Sequence, residues 1–248
     1  MIEVEFPEII LLHGDGNLWW TGATNMGVRY ALAKVNQGDY ILTLNDDTTF
    51  RSDYLKALLD TTLKHPKSLI GSISISNIDE STVIDAGVHI NWLTAKYTNM
   101  AKGRNYNDIL RDDSLLQKVD VLPGRGTLIP IEVFRKIGLY DFKNLPHYGA
   151  DYEFSHRAKK SGYKLLVNYK TVVISDIRMT GTNNIVNDLR WDDLIKSFFS
   201  IRSANNLIQR WKFARLCSTG WRFPVFYLCD VGRVIIGSLL YQTGFRNR

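Results

Sequence analysis

Residues 40–48 read Tyr-Ile-Leu-Thr-Leu-Asn-Asp-Asp-Thr. Tyr40 to Leu44 has the length and apolar content of a buried strand, and it runs straight into two adjacent carboxylates, Asp46 and Asp47. Ser52 and Asp53 then offer an N-cap for a helix whose Tyr54, Leu55, Leu58, Leu59 and Leu63 share one face, and Pro66 stops it. In open α/β sheets, ligands sit beyond the carboxyl ends of the strands. Two carboxylates placed there repel one another unless a cation joins them. A hard divalent ion with oxygen ligands does this, and a diphosphate is the substrate that needs such an ion. Taken alone, the same pair fits a helix cap and a solvated turn equally well.

Upstream, Glu8 to His13 carries the apolar run Ile9-Ile10-Leu11-Leu12, which predicts a short buried strand ending in the loop Gly14-Asp15-Gly16-Asn17. A helix is expected over Asn25 to Val35, closed by Asn36-Gln37-Gly38. Between them stand Trp19 and Trp20. In an extended segment adjacent side chains point to opposite faces, so one of the two lines a pocket. The glycine-rich loop lacks the Lys-Ser/Thr of a P-loop, which argues against an ATPase of that type.

Downstream, strands are expected at Ser68 to Ser76 and Thr82 to Ile90, and Lys96 to Lys118 reads as loop and short helix. Pro123-Gly124-Arg125-Gly126-Thr127 leads into a strand-like Leu128 to Pro130, a short helix to Ile137 and a turn at Gly138 to Asp141. A helix from Asp151 to Ser161 ends at Gly162, and strands follow at Tyr163 to Val167 and Thr171 to Ser175. Strands alternating with helices predict an α/β domain with a mostly parallel sheet over residues 1–187, followed by a helical, basic region over 188–248.

The helix at Asp151 opens Asp151-Tyr152-Glu153, behind the aromatic run Pro146-His147-Tyr148-Gly149. Free backbone amides at a helix N-terminus stabilise a carboxylate in its charged form, and charged is what a general base must be. An acidic first turn without any function has the same spacing.

The chain has 248 residues, 45% of them hydrophobic, which is enough for one buried α/β core and an appendage and too apolar for disorder. Glu3, Glu5 and Glu8 crowd the opening stretch, with no apolar run of signal-peptide length, so the expected compartment is the cytoplasm. Cys217 and Cys229 have no metal-spaced partners and read as two free buried thiols. The net charge of +6 is uneven: residues 1–156 carry −5 and residues 157–248 carry +11. Such a tail suits an anionic membrane surface or a merely solvated face. Nucleic acid is disfavoured because no finger, recognition helix or RNA-binding aromatic motif accompanies the charge. Pro224, Asp230 and Arg233 interrupt the last apolar segment, Phe223 to Tyr241, which therefore falls short of a transmembrane helix. It fits an amphipathic helix on the inner face of the plasma membrane, or a helix packed on the domain.

In order, Gly14 to Gly27 (GDGNLWWTGATNMG), Leu42 to Thr48 (LTLNDDT), Leu122 to Asp141 (LPGRGTLIPIEVFRKIGLYD) and Pro146 to Tyr163 (PHYGADYEFSHRAKKSGY) resemble bacterial family 2 glycosyltransferases, particularly rhamnosyltransferase-like ones. The resemblance implies a GT-A fold and inverting transfer from a nucleotide-diphospho-sugar, with Mn2+ or Mg2+, to a glycan or lipid-linked acceptor in surface polysaccharide assembly. It implies metal binding by Asp47 with Asp46, and a catalytic base at Asp151. Donor contacts are implied at Asn17, Trp20, Gly22, Asn25, Asn45, Asp46, Gly124, Arg125 and Gly126, and an acceptor or sugar pocket at Tyr148 and Glu153. Gly124 and Gly126 permit close backbone approach, while Arg125 suits phosphate as well as it suits a surface ion pair.

The sequence departs from the family pattern where Asn45 opens the Asp-x-Asp element and Ala150 precedes Asp151. Ser175-Asp176 stands where the family often has a metal-binding histidine. The family's first strand-helix-strand unit, which holds the nucleoside, is expected to be absent, because eight residues precede the first expected strand. A non-catalytic fragment with weak nucleotide binding is therefore the rival reading. A nucleotidyltransferase would need a basic glycine-rich loop near the start, which the sequence lacks, and would release pyrophosphate.

Overall fold

The computed structural model describes residues 2–111, 115–176 and 191–242. In chain order they form α1 (Ile2–Glu5), α2 (Trp19–Leu32), β1 (Tyr40–Thr43), β2 (Thr48–Thr49), α3 (Tyr54–Lys64), β3 (Ser68–Ser76), β4 (Val83–Asp85), β5 (Val88–Asn91) and β6 (Lys96–Asn99). There follow α4 (Tyr106–Ile109), β7 (Leu116–Lys118), β8 (Thr127–Pro130), α5 (Ile131–Ile137), α6 (Ala150–Lys160), β9 (Lys164–Ser175), α7 (Trp191–Ser197), α8 (Leu207–Cys217) and α9 (Arg222–Gln242).

The main sheet runs β1-β8-β3-β9-β2, with β4 on β3 and β7 on β9; β5 and β6 form a separate hairpin. The α/β class is as expected, but the sheet is mixed rather than mostly parallel. Only β3 and β9 pair in parallel, and the other described pairings are antiparallel. In the middle of the sheet the reversal comes from β8, which enters between β1 and β3 against both, and β2, β4 and β7 add antiparallel strands on β9 and β3. Periodicity finds a strand but says nothing of its direction.

β3 explains why the sheet lies at the core. All nine of its residues are buried, as in a central strand covered on both faces. Leu69, Ile70, Ile73 and Ile75 supply the apolar surface, each worth about 1.5–3 kcal/mol when fully buried. The interleaved serines are small and satisfied. Ser72 Oγ donates to the Gly126 carbonyl at 2.8 Å, and Ser74 Oγ lies 2.9 Å from Ser175 Oγ.

Several local expectations change. Glu8 to His13 is not a strand, and Ile9, Ile10 and Leu12 are exposed. An apolar run becomes a strand only where a neighbour receives its backbone N–H and C=O groups, and no described strand pairs with it. The first long helix starts at Trp19 instead of Asn25, because Thr21 anchors it: its N–H bonds the Pro146 carbonyl at 3.1 Å and its Oγ1 the Leu145 carbonyl at 2.7 Å. The strand expected over Thr82 to Ile90 is divided into β4 and β5 around Ala86-Gly87, whereas Tyr163 to Ser175 makes one strand, β9. Within Lys96 to Lys118 lie β6, α4 and β7.

The C-terminal helices share the main hydrophobic core. Trp92, in the β5–β6 turn, packs against His156, Phe213 and Phe226, and Phe213, Ala214, Cys217 and Phe226 are buried. Cys217 and Cys229 are free thiols, the first buried and the second partly so. The boundary expected at residues 187/188 lies outside the described residues. Against expectation, α9 is long and apolar enough to cross a membrane over Arg222–Leu240, with a mean hydropathy of 1.6.

Candidate active site

β1 delivers the Asn45-Asp46-Asp47 turn at its carboxyl end. Thr48 Oγ1 donates to the Asn45 carbonyl at 2.6 Å and tightens the turn. The chain then pairs along β9: Thr48 is opposite Ser175, and the Asp176 N–H donates to the Asp47 carbonyl at 3.1 Å. Asp47 and Asp176 therefore lie side by side at the carboxyl end of the sheet, where ligands of such folds sit. Asp46 is exposed.

A chain of contacts ties this turn to Asp151. Asn45 Oδ1 accepts a hydrogen bond from Trp20 Nε1 at 3.3 Å. The Trp20 ring lies against Gly124, so closely that a Cβ there would come 2.1 Å from Trp20 Cζ2. The Gly124 N–H in turn donates to Asp151 Oδ2 at 2.9 Å. Glycine at 124 is thus required by the indole itself. Gly124→Ala should displace Trp20, cost about 1–3 kcal/mol of stability by overpacking, and break the Asn45 contact. Quenching of tryptophan fluorescence and urea unfolding measure both effects. Gly126, with φ of +72°, closes the loop by donating its N–H to the Thr43 carbonyl at 2.8 Å.

Asp151 stands in the first turn of α6, where its Oδ1 also accepts the Tyr152 N–H at 2.9 Å. Burial raises its pKa, the two backbone donors oppose the rise, and the neighbouring Asp85 adds to it. Asp85, which sequence reasoning missed, is a buried carboxylate on β4 whose Oδ1 accepts the Gly87 N–H at 2.8 Å. Burial raises its pKa too, and the half-buried Arg125 guanidinium opposes the rise. The available signal was an acid inside the apolar run Val83-Ile84-Asp85-Ala86-Gly87-Val88.

The aromatic run before α6 is half-buried. The His147 ring stands 4.4 Å from that of Tyr148 and 5.7 Å from that of Trp19. Burial lowers the His147 pKa, and its Nδ1 is a buried atom with no hydrogen-bond partner.

Other expected contacts are engaged elsewhere. Asn25 donates its Nδ2 to the Tyr140 carbonyl at 2.9 Å and accepts the Tyr140 N–H at 3.0 Å, which pins α2 to the loop that leads to Asp151. Its amide atoms are therefore committed to the backbone rather than to a donor. Gly22 packs under Phe142, whose ring would meet a Cβ at 3.0 Å. Asn17 is exposed and bonds only locally, its N–H to Asp15 Oδ1 at 2.8 Å. Glu153 is buried and paired: it takes Arg157 Nε at 2.8 Å and Nη2 at 3.0 Å, while Arg157 also bonds the carbonyls of Ile137 and Leu139. Arg157→Met would strand that buried carboxylate, and a loss of about 3 kcal/mol is expected in urea titration.

The donor set can be tested against a divalent ion. Asp47 Oδ1 is buried and makes no hydrogen bond, an unusual state for an anionic oxygen. No group of three or more potential metal-binding side chains gathers among the described residues. A small hard cation that arrives with phosphates needs one or two carboxylates, so the orphaned oxygen fits such an ion.

The fold is of the GT-A type: across 99% of its length the chain superposes, with a TM-score of 0.54 and 14% identity, on a crystal structure of GalNAc-T7 with UDP, GalNAc and Mn2+. It spans about half, 48%, of the length of that protein. Residues 2–138 match Glycosyl transferase family 2, and the chain belongs to that family. No curated protein sequence matches it significantly.

Proposed function

We propose that the chain transfers a sugar from a nucleotide-diphospho-sugar to an acceptor hydroxyl with inversion, in the assembly of a surface polysaccharide or related glycan. The observation that carries this reading is the continuous contact from Asn45 through Trp20 and Gly124 to Asp151, which joins the carboxylate turn to an acid at a helix N-terminus. Asp47, with Asp176 beside it, would hold a divalent cation, whose charge would offset that of the departing nucleoside diphosphate. Asp151 takes the proton from the acceptor hydroxyl as that oxygen attacks the anomeric carbon from the face opposite the leaving group. Arg125 balances the charge of Asp85, and Tyr148 with Trp20 offers flat faces for sugar rings.

The related fold bound to UDP and Mn2+ supports UDP as the first ligand to try. Calorimetric titration with UDP and dTDP, each with and without manganese, tests the reading. Metal-dependent binding of either is expected, followed by turnover with a panel of nucleotide sugars that includes dTDP-rhamnose. Failure of both nucleotides to bind a folded chain would overturn the reading in favour of a non-catalytic member of the family.

A further inference from the structure

α9 is turned inside out relative to an ordinary surface helix. Its one acid, Asp230, is only 2% exposed and is held through both carboxylate oxygens by Arg210 of α8, each at 2.8 Å. Its apolar residues face outward: Leu228 is 69% and Ile236 58% exposed. Val225, Leu228, Gly232 and Ile236 follow helical spacing along one stripe, while Phe226 and Asp230 occupy the opposite, inner side. A packed helix normally places these classes the other way round. The stripe begins at Trp221, 67% exposed, with Arg222 over its ring at 5.8 Å; nearby Arg215 lies over the exposed Trp211 ring at 5.4 Å.

We propose that this outer face of α9, with Trp211 and Trp221 at its start, seats the protein on an anionic bilayer, with the helix lying in the boundary between headgroups and acyl chains. Three observations choose this occupant. Exposed tryptophans capped by arginines match the interfacial region, which takes amphipathic rings and cations together. Arg215 and Arg222 are exposed beside those rings, and no carboxylate stands on the outer stripe among the described residues. Two copies paired through this face would therefore oppose like charges, whereas an anionic membrane supplies the missing countercharge. Although α9 is long enough to cross a bilayer, crossing would carry Asp230 into hydrocarbon and pull Phe226 from the core. The seat is independent of the transfer reaction.

The test is flotation of the full chain with vesicles of phosphatidylcholine mixed with phosphatidylglycerol, and with vesicles of phosphatidylcholine alone, alongside light scattering for oligomeric state. Wild type should float with the mixed vesicles, weaken in high salt, and be released from them by alkaline carbonate. Leu228→Asp with Ile236→Asp should lower partitioning roughly tenfold or more, since both side chains lose their transfer gain. Both positions are exposed, so the thermal unfolding midpoint should hold. Arg215→Ser with Arg222→Ser, which leaves the apolar stripe intact, should abolish the preference for phosphatidylglycerol. The proposal is overturned if wild type floats with neither vesicle, if the aspartate variant floats unchanged, if carbonate fails to release the protein, or if wild type is a dimer that the aspartate substitutions split.

Discussion

Asp151→Asn should lower turnover by roughly 10²- to 10⁴-fold while UDP binding persists. The carboxylate accepts two backbone N–H groups, from Gly124 and Tyr152, and it stands beyond the carboxyl ends of the strands in the first turn of α6. An amide in its place can accept only one of those donors well, so a stability loss of about 1–3 kcal/mol accompanies the change and must be measured separately by urea unfolding. Retained turnover in a folded variant would remove Asp151 from the role of base. The pH profile gives a second readout. Burial and Asp85 place the Asp151 pKa above its ordinary value of 3.8, and the base works only when deprotonated. The kcat/KM therefore rises with pH through that elevated pKa, and the acid limb attributable to Asp151 disappears in the variant.

Asp47→Ala should weaken UDP binding in manganese by about 10²-fold and abolish the difference between titrations with and without metal. The Asp47 backbone carbonyl, not its side chain, accepts the Asp176 N–H, so the β2–β9 pairing survives the truncation. Removing a buried carboxylate oxygen that has no hydrogen-bond partner also relieves a desolvation cost, so the apo chain should be no less stable than wild type. That combination, undiminished stability and lost metal dependence, separates a ligand role from a structural one. Unchanged metal dependence would shift attention to Asp176.

Sequence alone determined those features whose physics is local or strongly periodic. Ser68–Ser76 was legible as a strand because a continuous run of apolar and small residues suits burial on both faces. α3 and α6 were legible from an apolar face and from the C′ glycine at 162. The Asp46-Asp47 turn and the acidic start of α6 were legible because each needs only a few adjacent residues. Tertiary structure alone decided the rest. Ile9 to Leu12 has strand-like composition yet no partner for its backbone, and β8 runs antiparallel because of where it is inserted between β1 and β3. Asn25 looks like a ligand-facing polar group until Tyr140, 115 residues away, is seen to use its hydrogen-bonding capacity. Asp85 reaches the site only because β4 folds back on β3, and α9 shows its apolar side outward because Arg210 holds Asp230, and the core holds Phe226, within. Helical and strand periods state which residues share a face; only packing states which face meets another element and which meets its surroundings.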